Sequence, residues 1–156
     1  MIGSIREVAE VDLTPELLNL YHQMGEDRET KDIRPETLLE WYRNSKARGS
    51  TTYVYMLQKE RIGDATSFDC FMGALGTLVV DEKLIHGHCR AGRIEEVIVD
   101  KNHRGLGLGK SMVKFLVRQA KKMGCYKVSL SCKDDLRGFY EQSGFSEKDR
   151  AMEIRF

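Results

Sequence analysis

Val97-Ile98-Val99-Asp100-Lys101-Asn102-His103-Arg104-Gly105-Leu106-Gly107-Leu108-Gly109-Lys110 joins three kinds of local order in one stretch. An alternating apolar run stops at a short polar turn, and a basic, glycine-rich loop then opens into an amphipathic helix. Glycine permits the positive φ angles that let successive backbone N–H groups converge, and a helix start adds unpaired N–H groups and a positive dipole end. Such a cradle fits a pyrophosphate. Register excludes two common phosphate loops. A Walker A motif requires Gly-x-x-x-x-Gly-Lys-Ser/Thr, but counting back from Gly109-Lys110-Ser111 puts Arg104 where the first glycine belongs. A Rossmann fingerprint counted from Gly105 and Gly107 finds Lys110 in place of its third glycine. The pattern present is Arg-x-x-Gly-x-Gly, with Arg104, Gly107 and Gly109, set between a strand and a helix. A glycine-rich turn without a ligand is the plain alternative for the loop taken alone.

Composition narrows the class. The chain has 156 residues, 41% of them hydrophobic, and two prolines, which describes one globular domain with a proper core. Its 25 basic and 24 acidic side chains nearly cancel, so no electrostatic footprint points to nucleic acid or to an anionic membrane. No apolar run approaches the roughly 18 residues of a membrane span. The opening Met1-Ile2-Gly3-Ser4-Ile5-Arg6-Glu7 lacks a signal-peptide pattern. A cytoplasmic protein is expected. Cys70, Cys89, Cys125 and Cys132 are scattered, with no Cys-x-x-Cys pair, and read as reduced packing thiols. His86-Gly87-His88-Cys89 carries metal-ligand side chains, but too close together for a finger-like loop and without a second pair at finger spacing, so no metal is expected.

Local patterns predict the element order β-α-α-β-β-β-α-β-α-β, a mixed α/β domain. Ser4 to Val11 reads as a first strand. Thr14-Pro15-Glu16 starts a helix carrying Leu17, Leu18 and Tyr21 to about Gly25, and a charged, solvated loop follows over Glu26–Asp32. A second helix begins near Pro35. Thr51–Leu57 and Phe68–Val80 are strands separated by a turn over Arg61–Thr66, and Gly92–Asp100 is another. From Gly107 to Met123 the apolar positions Met112, Phe115, Leu116 and Ala120 keep helical spacing while lysines occupy the other side, and Gly124 closes the helix. A buried strand over Tyr126–Cys132, a brief helix from Asp134 through Tyr140, and a last strand over Met152–Phe156 complete the chain.

That order, with the glycine loop after the fourth strand, resembles the GNAT N-acetyltransferase superfamily. Gly138-Phe139-Tyr140-Glu141-Gln142-Ser143-Gly144-Phe145 is similar to its Phe-Tyr-x-x-x-Gly-Phe segment. Taken alone, aromatic residues on a short helix are as readily core. More specific segments are Lys83-Leu84-Ile85-His86, Gly92-Arg93-Ile94-Glu95-Glu96-Val97, Gly124-Cys125-Tyr126-Lys127 and Glu153-Ile154-Arg155-Phe156, which look like glucosamine-6-phosphate N-acetyltransferases. This similarity runs from about Gly73 to the C-terminus; the first half agrees only in element order.

The resemblance implies direct acetyl transfer from acetyl-CoA to the amine of glucosamine 6-phosphate, supplying UDP-N-acetylglucosamine synthesis. It implies that Val97, Ile98 and Val99 line the acyl slot and that Arg104, Gly105, Leu106, Gly107, Leu108, Gly109 and Lys110 hold the pyrophosphate. The Val97 N–H would polarise the thioester carbonyl and Tyr140 would serve the departing thiolate. Glu95, the backbone carbonyl near Ser131 and water stand as alternatives for taking the amine proton. Lys83, His86, Glu95, Glu96, Tyr126, Lys127 and Arg155 are the implied sugar-phosphate contacts, the carboxylates for ammonium or hydroxyls and the cations for phosphate. As strand neighbours, Glu95 and Glu96 should face opposite sides unless a bulge intervenes. A homodimer with exchanged C-terminal strands is also implied. Transfer to another amine (peptide, lysine or polyamine) and a non-catalytic acyl-CoA-binding module remain open at this point. Ser131 stands where such proteins commonly carry an acidic residue, and Leu136 where an asparagine is frequent.

Overall fold

A computed structural model describes residues 2–24, 33–61 and 64–154. Arg155, Phe156 and the charged Glu26–Asp32 loop lie outside the described residues. The elements run β1 (Ile2–Glu7), α1 (Pro15–His22), α2 (Pro35–Ala47), β2 (Ser50–Arg61), β3 (Asp64–Lys83), a kinked turn α3 (Ile85–His88), β4 (Cys89–Val99), α4 (Leu108–Lys122), β5 (Cys125–Ser129) and α5 (Arg137–Glu141). They form one sheet in the order β1-β2-β3-β4-β5. The first four strands pair antiparallel and β5 joins β4 in parallel, the crossover being α4. This is the expected mixed α/β architecture.

Alternation along the strands gives each face of the sheet its own apolar layer. On one face Leu17, Leu20 and Tyr21 of α1 meet Val8, Val54, Leu75 and Ile98. On the other, Met112, Leu116 and Ala120 of α4 meet Tyr53, Leu78 and Ile94. Each fully buried leucine contributes about 2 kcal/mol. The two layers lock α1 and α4 to opposite sides of β3 and β4, and so position everything built on β4.

Several boundaries differ from expectation, each for a local reason. The first strand stops at Glu7 because the Asp12 carboxylate accepts the Ala9 N–H at 2.8 Å and both Arg6 guanidinium nitrogens, curling Glu10–Asp12 into a 3₁₀ turn. The fifth strand ends at Ser129, not at Cys132, since the β4 ladder beside it stops at Arg93. Of the expected last strand, Met152, Glu153 and Ile154 form no strand within the chain, and Met152 and Ile154 are 98% and 80% exposed. No helix among the described residues is long and apolar enough to cross a membrane.

Candidate active site

The site begins with a fault in the β3–β4 ladder. Leu75 pairs with Ile98 and Thr77 with Glu95, so β4 carries one extra residue between them. The extra residue is a β-bulge at Glu96, whose φ of 54° is unusual for a side chain other than glycine. Ladder partners share a face. Glu95 therefore faces the α1 side with Thr77, and the bulge turns Glu96 there too. Its Oε2 accepts the Thr77 hydroxyl at 2.8 Å and the Tyr21 hydroxyl at 3.2 Å. Thr52 continues the chain, its Oγ1 lying 2.9 Å from that of Thr77. Burial, reinforced by the Glu96 charge, pushes the Tyr21 phenol far above its ordinary range, so it stays a donor. Glu95 is committed differently: its Oε1 accepts from Arg93 Nε at 2.6 Å, on the more exposed part of the strand.

The second element is a wedge. The β4–β5 ladder runs from Arg90 with Cys125 to Arg93 with Ser129 and goes no further. Beyond it, Ile94–Val99 carries no β5 partner, and the wedge is this end of β4 where the parallel pairing stops. The wedge leads directly into the glycine loop.

Asp100 shapes that loop. Its N–H donates to the Gly73 carbonyl at 2.9 Å, and its carboxylate accepts from Asn102 N at 2.9 Å, Gln23 Nε2 at 3.0 Å and His103 Nδ1 at 2.8 Å. Burial alone would raise the carboxyl, but the Gln23, His103 and Asn102 hydrogen bonds outweigh it and hold it below the usual carboxylate range. Gln23 returns the contact by accepting the Lys101 N–H at 2.7 Å, which ties the end of α1 to the loop. Arg104 follows, its Nε donating to the Val99 carbonyl at 3.3 Å.

Gly107, at φ 76°, is the residue from which α4 starts. The first helical hydrogen bond runs from Ser111 N to Gly107 O, leaving the N–H groups of Leu108, Gly109 and Lys110 without a helical acceptor. Gly109 packs tightly: a Cβ there would lie 3.2 Å from both Phe139 Cζ and Val99 Cγ2, so those side chains would have to give by a few tenths of an ångström. Lys110 reaches Gln142 Oε1 at 3.5 Å. Glycine-bounded N–H groups, flanked by Arg104 and Lys110, form an anion cradle at the mouth of the wedge.

Tyr140 stands on α5 among Phe139 and Phe145, with ring centroids 4.9 and 6.2 Å away. Burial, with Cys132 adding to it, raises its phenol above the ordinary value and keeps the proton on it at neutral pH. Ser131 is exposed on the segment between β5 and α5.

Sequence-expected residues thus separate into two groups. Glu95, Glu96, Val97, Ile98, Val99 and the loop residues through Lys110 cluster at the open end of β4. His86, Tyr126 and Lys127 cluster at the paired end: the His86 and Tyr126 rings lie 5.3 Å apart, and Lys127 Nζ sits 5.5 Å from the Tyr126 ring. Lys83 is at that end too, 3.6 Å from Asp81. Lys127 pairs with Ala91, roughly 20 Å along the strand from Val97. Among the described residues no three His, Cys, Asp or Glu side chains converge as a metal would need. Sequence reasoning missed the hydroxyls of Tyr21, Thr52 and Thr77 and the Gln23–Asp100 link. Tyr21 reads there only as an apolar helix position, and nothing in the order of residues signals a contact made across the sheet.

Comparison with known proteins agrees with this geometry. The profile of the acetyltransferase (GNAT) family matches residues 14–145. The chain is 32% identical over 125 residues to the glucosamine 6-phosphate N-acetyltransferase of Candida albicans, covering 80% of this chain and 78% of that one. It is 46% identical over 83 residues to a probable glucosamine 6-phosphate N-acetyltransferase 2 of Oryza sativa, a match spanning 53% of this chain and 50% of that relative. The solved glucosamine-6-phosphate N-acetyltransferase of Arabidopsis thaliana superposes with a TM-score of 0.81 at 27% identity, covering 100% of this chain and 99% of the other. The chain belongs to the acetyltransferase (GNAT) family and, within it, groups with the glucosamine 6-phosphate N-acetyltransferases.

Proposed function

We propose that the chain transfers the acetyl group of acetyl-CoA to the 2-amine of D-glucosamine 6-phosphate, giving N-acetylglucosamine 6-phosphate and free CoA. The observation that carries this reading is the wedge between β4 and β5 running into the α4 cradle. It offers an extended thiol arm a strand edge free of β5 pairing and its pyrophosphate the N–H groups at the start of α4. The acceptor follows from the relatives' names and from the two carboxylates turned to one face by the bulge.

The amine enters as an ammonium and must lose a proton before its lone pair attacks the thioester carbon. The Val97 N–H, next to the bulge, donates to the carbonyl oxygen as negative charge develops there. The C–N bond forms, the C–S bond breaks, the Tyr140 phenol donates its proton to the departing sulfur, and the second proton shed by the nitrogen as the amide forms balances the one Tyr140 gave up. Glu95, Glu96 and the carbonyl near Ser131 are the groups assigned to the ammonium. Lys83, His86, Tyr126, Lys127 and Arg155 are assigned to the sugar phosphate. Because Lys127 sits so far along β4 from Val97, it serves the wedge of a second copy in this reading. The exposed Met152 and Ile154, and a β5 edge with no further strand among the described residues, support a homodimer that exchanges C-terminal strands. A cytoplasmic location and a role in supplying UDP-N-acetylglucosamine belong to the same reading.

Thiol release from acetyl-CoA, measured with glucosamine 6-phosphate, glucosamine and a short peptide, tests it. Turnover confined to the phosphorylated sugar is expected. Equal rates with glucosamine, or turnover with the peptide, would overturn the acceptor and keep the fold. Sedimentation of the purified chain as a monomer at assay concentration would overturn the exchanged dimer.

A further inference from the structure

Glu96 combines a left-handed backbone with a carboxylate held from inside the sheet. A side chain at φ 54° costs about 1–2 kcal/mol, so something must hold the bulge in that conformation. The candidates on the page are three hydroxyls. Tyr21, Thr52 and Thr77 are all nearly buried, at 8%, 6% and 3% exposure. An ionised carboxylate only accepts, so Thr77 must donate its single proton to Glu96 Oε2. Thr52 then has the Thr77 and Tyr21 oxygens as acceptors, and Tyr21 donates to the same Oε2. The two donors at Oε2 are set by the charge of the carboxylate, and bonds that point toward it reinforce one another at low dielectric. The hydroxyls come from three elements, α1, β2 and β3, each anchored in the apolar layer beneath α1. The other carboxylate oxygen, Oε1, accepts no hydrogen bond from the described residues, while neighbouring Glu95 is tied to Arg93.

We propose that Tyr21, Thr77 and Thr52 are positioning residues for acetyl transfer: their hydroxyl chain fixes Oε2 of Glu96 and holds the bulge open, which aims Oε1 at the acceptor amine and the following Val97 N–H at the thioester. This rests on the acetyl-transfer reading above. The chain touches neither substrate and acts through Glu96 alone. Its removal leaves the α4 cradle intact.

The experiment compares Thr77→Val, Tyr21→Phe and Thr77→Ser in the unmodified and the Glu96→Gln backgrounds. Losing one hydrogen bond to a charged group is expected to lower kcat about 10-fold, with the Kd for CoA unchanged. Thr77→Ser, which keeps the hydroxyl, should return kcat to within about 2-fold of the parent. In the Glu96→Gln background Thr77→Val should cost less than about 2-fold, because contacting partners are not additive. Undiminished kcat in both Thr77→Val and Tyr21→Phe, or an equal loss with and without Glu96, overturns the proposal. Should the parent chain turn over no glucosamine 6-phosphate, the acceptor reading fails, and calorimetry decides the positioning claim instead. The preference for acetyl-CoA over CoA, read as a ratio of Kd values, then falls in Thr77→Val and returns in Thr77→Ser if the bulge is held as proposed. An unchanged ratio overturns it.

Discussion

The two ends of β4 belong to one continuous strand and do opposite things. From Arg90 to Arg93 the strand is hydrogen-bonded to β5, and its charged side chains are neutralised at the surface: Arg90 by Glu82 at 3.2 Å, Arg93 by Glu95 at 2.6 Å. From Ile94 to Val99 the parallel partner is gone, one residue is bulged out, and a charged side chain is held by buried hydroxyls. Composition differs as well, with arginines at the paired end and two acids among aliphatic residues at the open one, but charge alone does not make one end a site. The presence or absence of a neighbouring strand does. A strand paired on both edges has spent its backbone groups on the ladders, whereas the stretch that keeps only β3 as a partner has one edge left for a ligand.

Substitutions at the open end should therefore act on chemistry, and those at the paired end on binding or on nothing. The largest effect is expected from Tyr140→Phe, which removes the proton donor while keeping the aromatic packing with Phe139 and Phe145. We expect kcat to fall about 100-fold with the KM values little changed; steady-state thiol release checks it, and an unaffected kcat would remove Tyr140 from the mechanism. Gly109→Leu comes next. Its side chain must displace Phe139 and Val99, so the KM for acetyl-CoA should rise about 10-fold and stability fall by about 1–3 kcal/mol from overpacking, read by calorimetric titration and urea melts.

At the paired end Lys127→Ala should leave kcat unchanged and raise only the KM for the phosphorylated sugar, by about 5-fold, equivalent to about 1 kcal/mol for an exposed ion pair. The same variant assayed with glucosamine should show no change. A fall in kcat would mean that the two ends are not separable. The smallest kinetic effect is expected from Asp12→Asn, remote from both ends. The Arg6 guanidinium, by hydrogen bonding, holds the Asp12 carboxyl below its usual range. A depressed folded pKa stabilises above the unfolded value, near pH 4, and that stability is lost as pH falls through the folded pKa. The parent should be more stable than Asp12→Asn by about 2 kcal/mol at pH 7, the gap shrinking steadily below pH 4 in thermal melts.

Much of this was legible in the order of residues. The periodic stripe of α4, the glycines that open it and the aromatic segment after it are local features, carried by spacing and φ preference. The strand over Gly92–Asp100 and the possibility of a bulge at Glu95-Glu96 were legible on the same grounds, but whether the pair shared a face was not. That answer required knowing that Thr77 opposes Glu95 and Ile98 opposes Leu75. Likewise the cations Lys83 and Lys127 were grouped with Glu95 by resemblance, and only the register places them at the far end of β4 from Val97.

The line between the two kinds of knowledge follows contact distance along the chain. Helix starts, turns and the phosphate-type cradle depend on residues a few positions apart, whose geometry is fixed by sterics and hydrogen bonds within one turn. The wedge, the bulge and the hydroxyl chain from Thr52 through Thr77 to Glu96 arise where segments far apart in sequence meet. Their partners are chosen by the packing of α1 and α4 on opposite faces of the sheet, a choice made by the whole apolar core at once and written in no single stretch of residues.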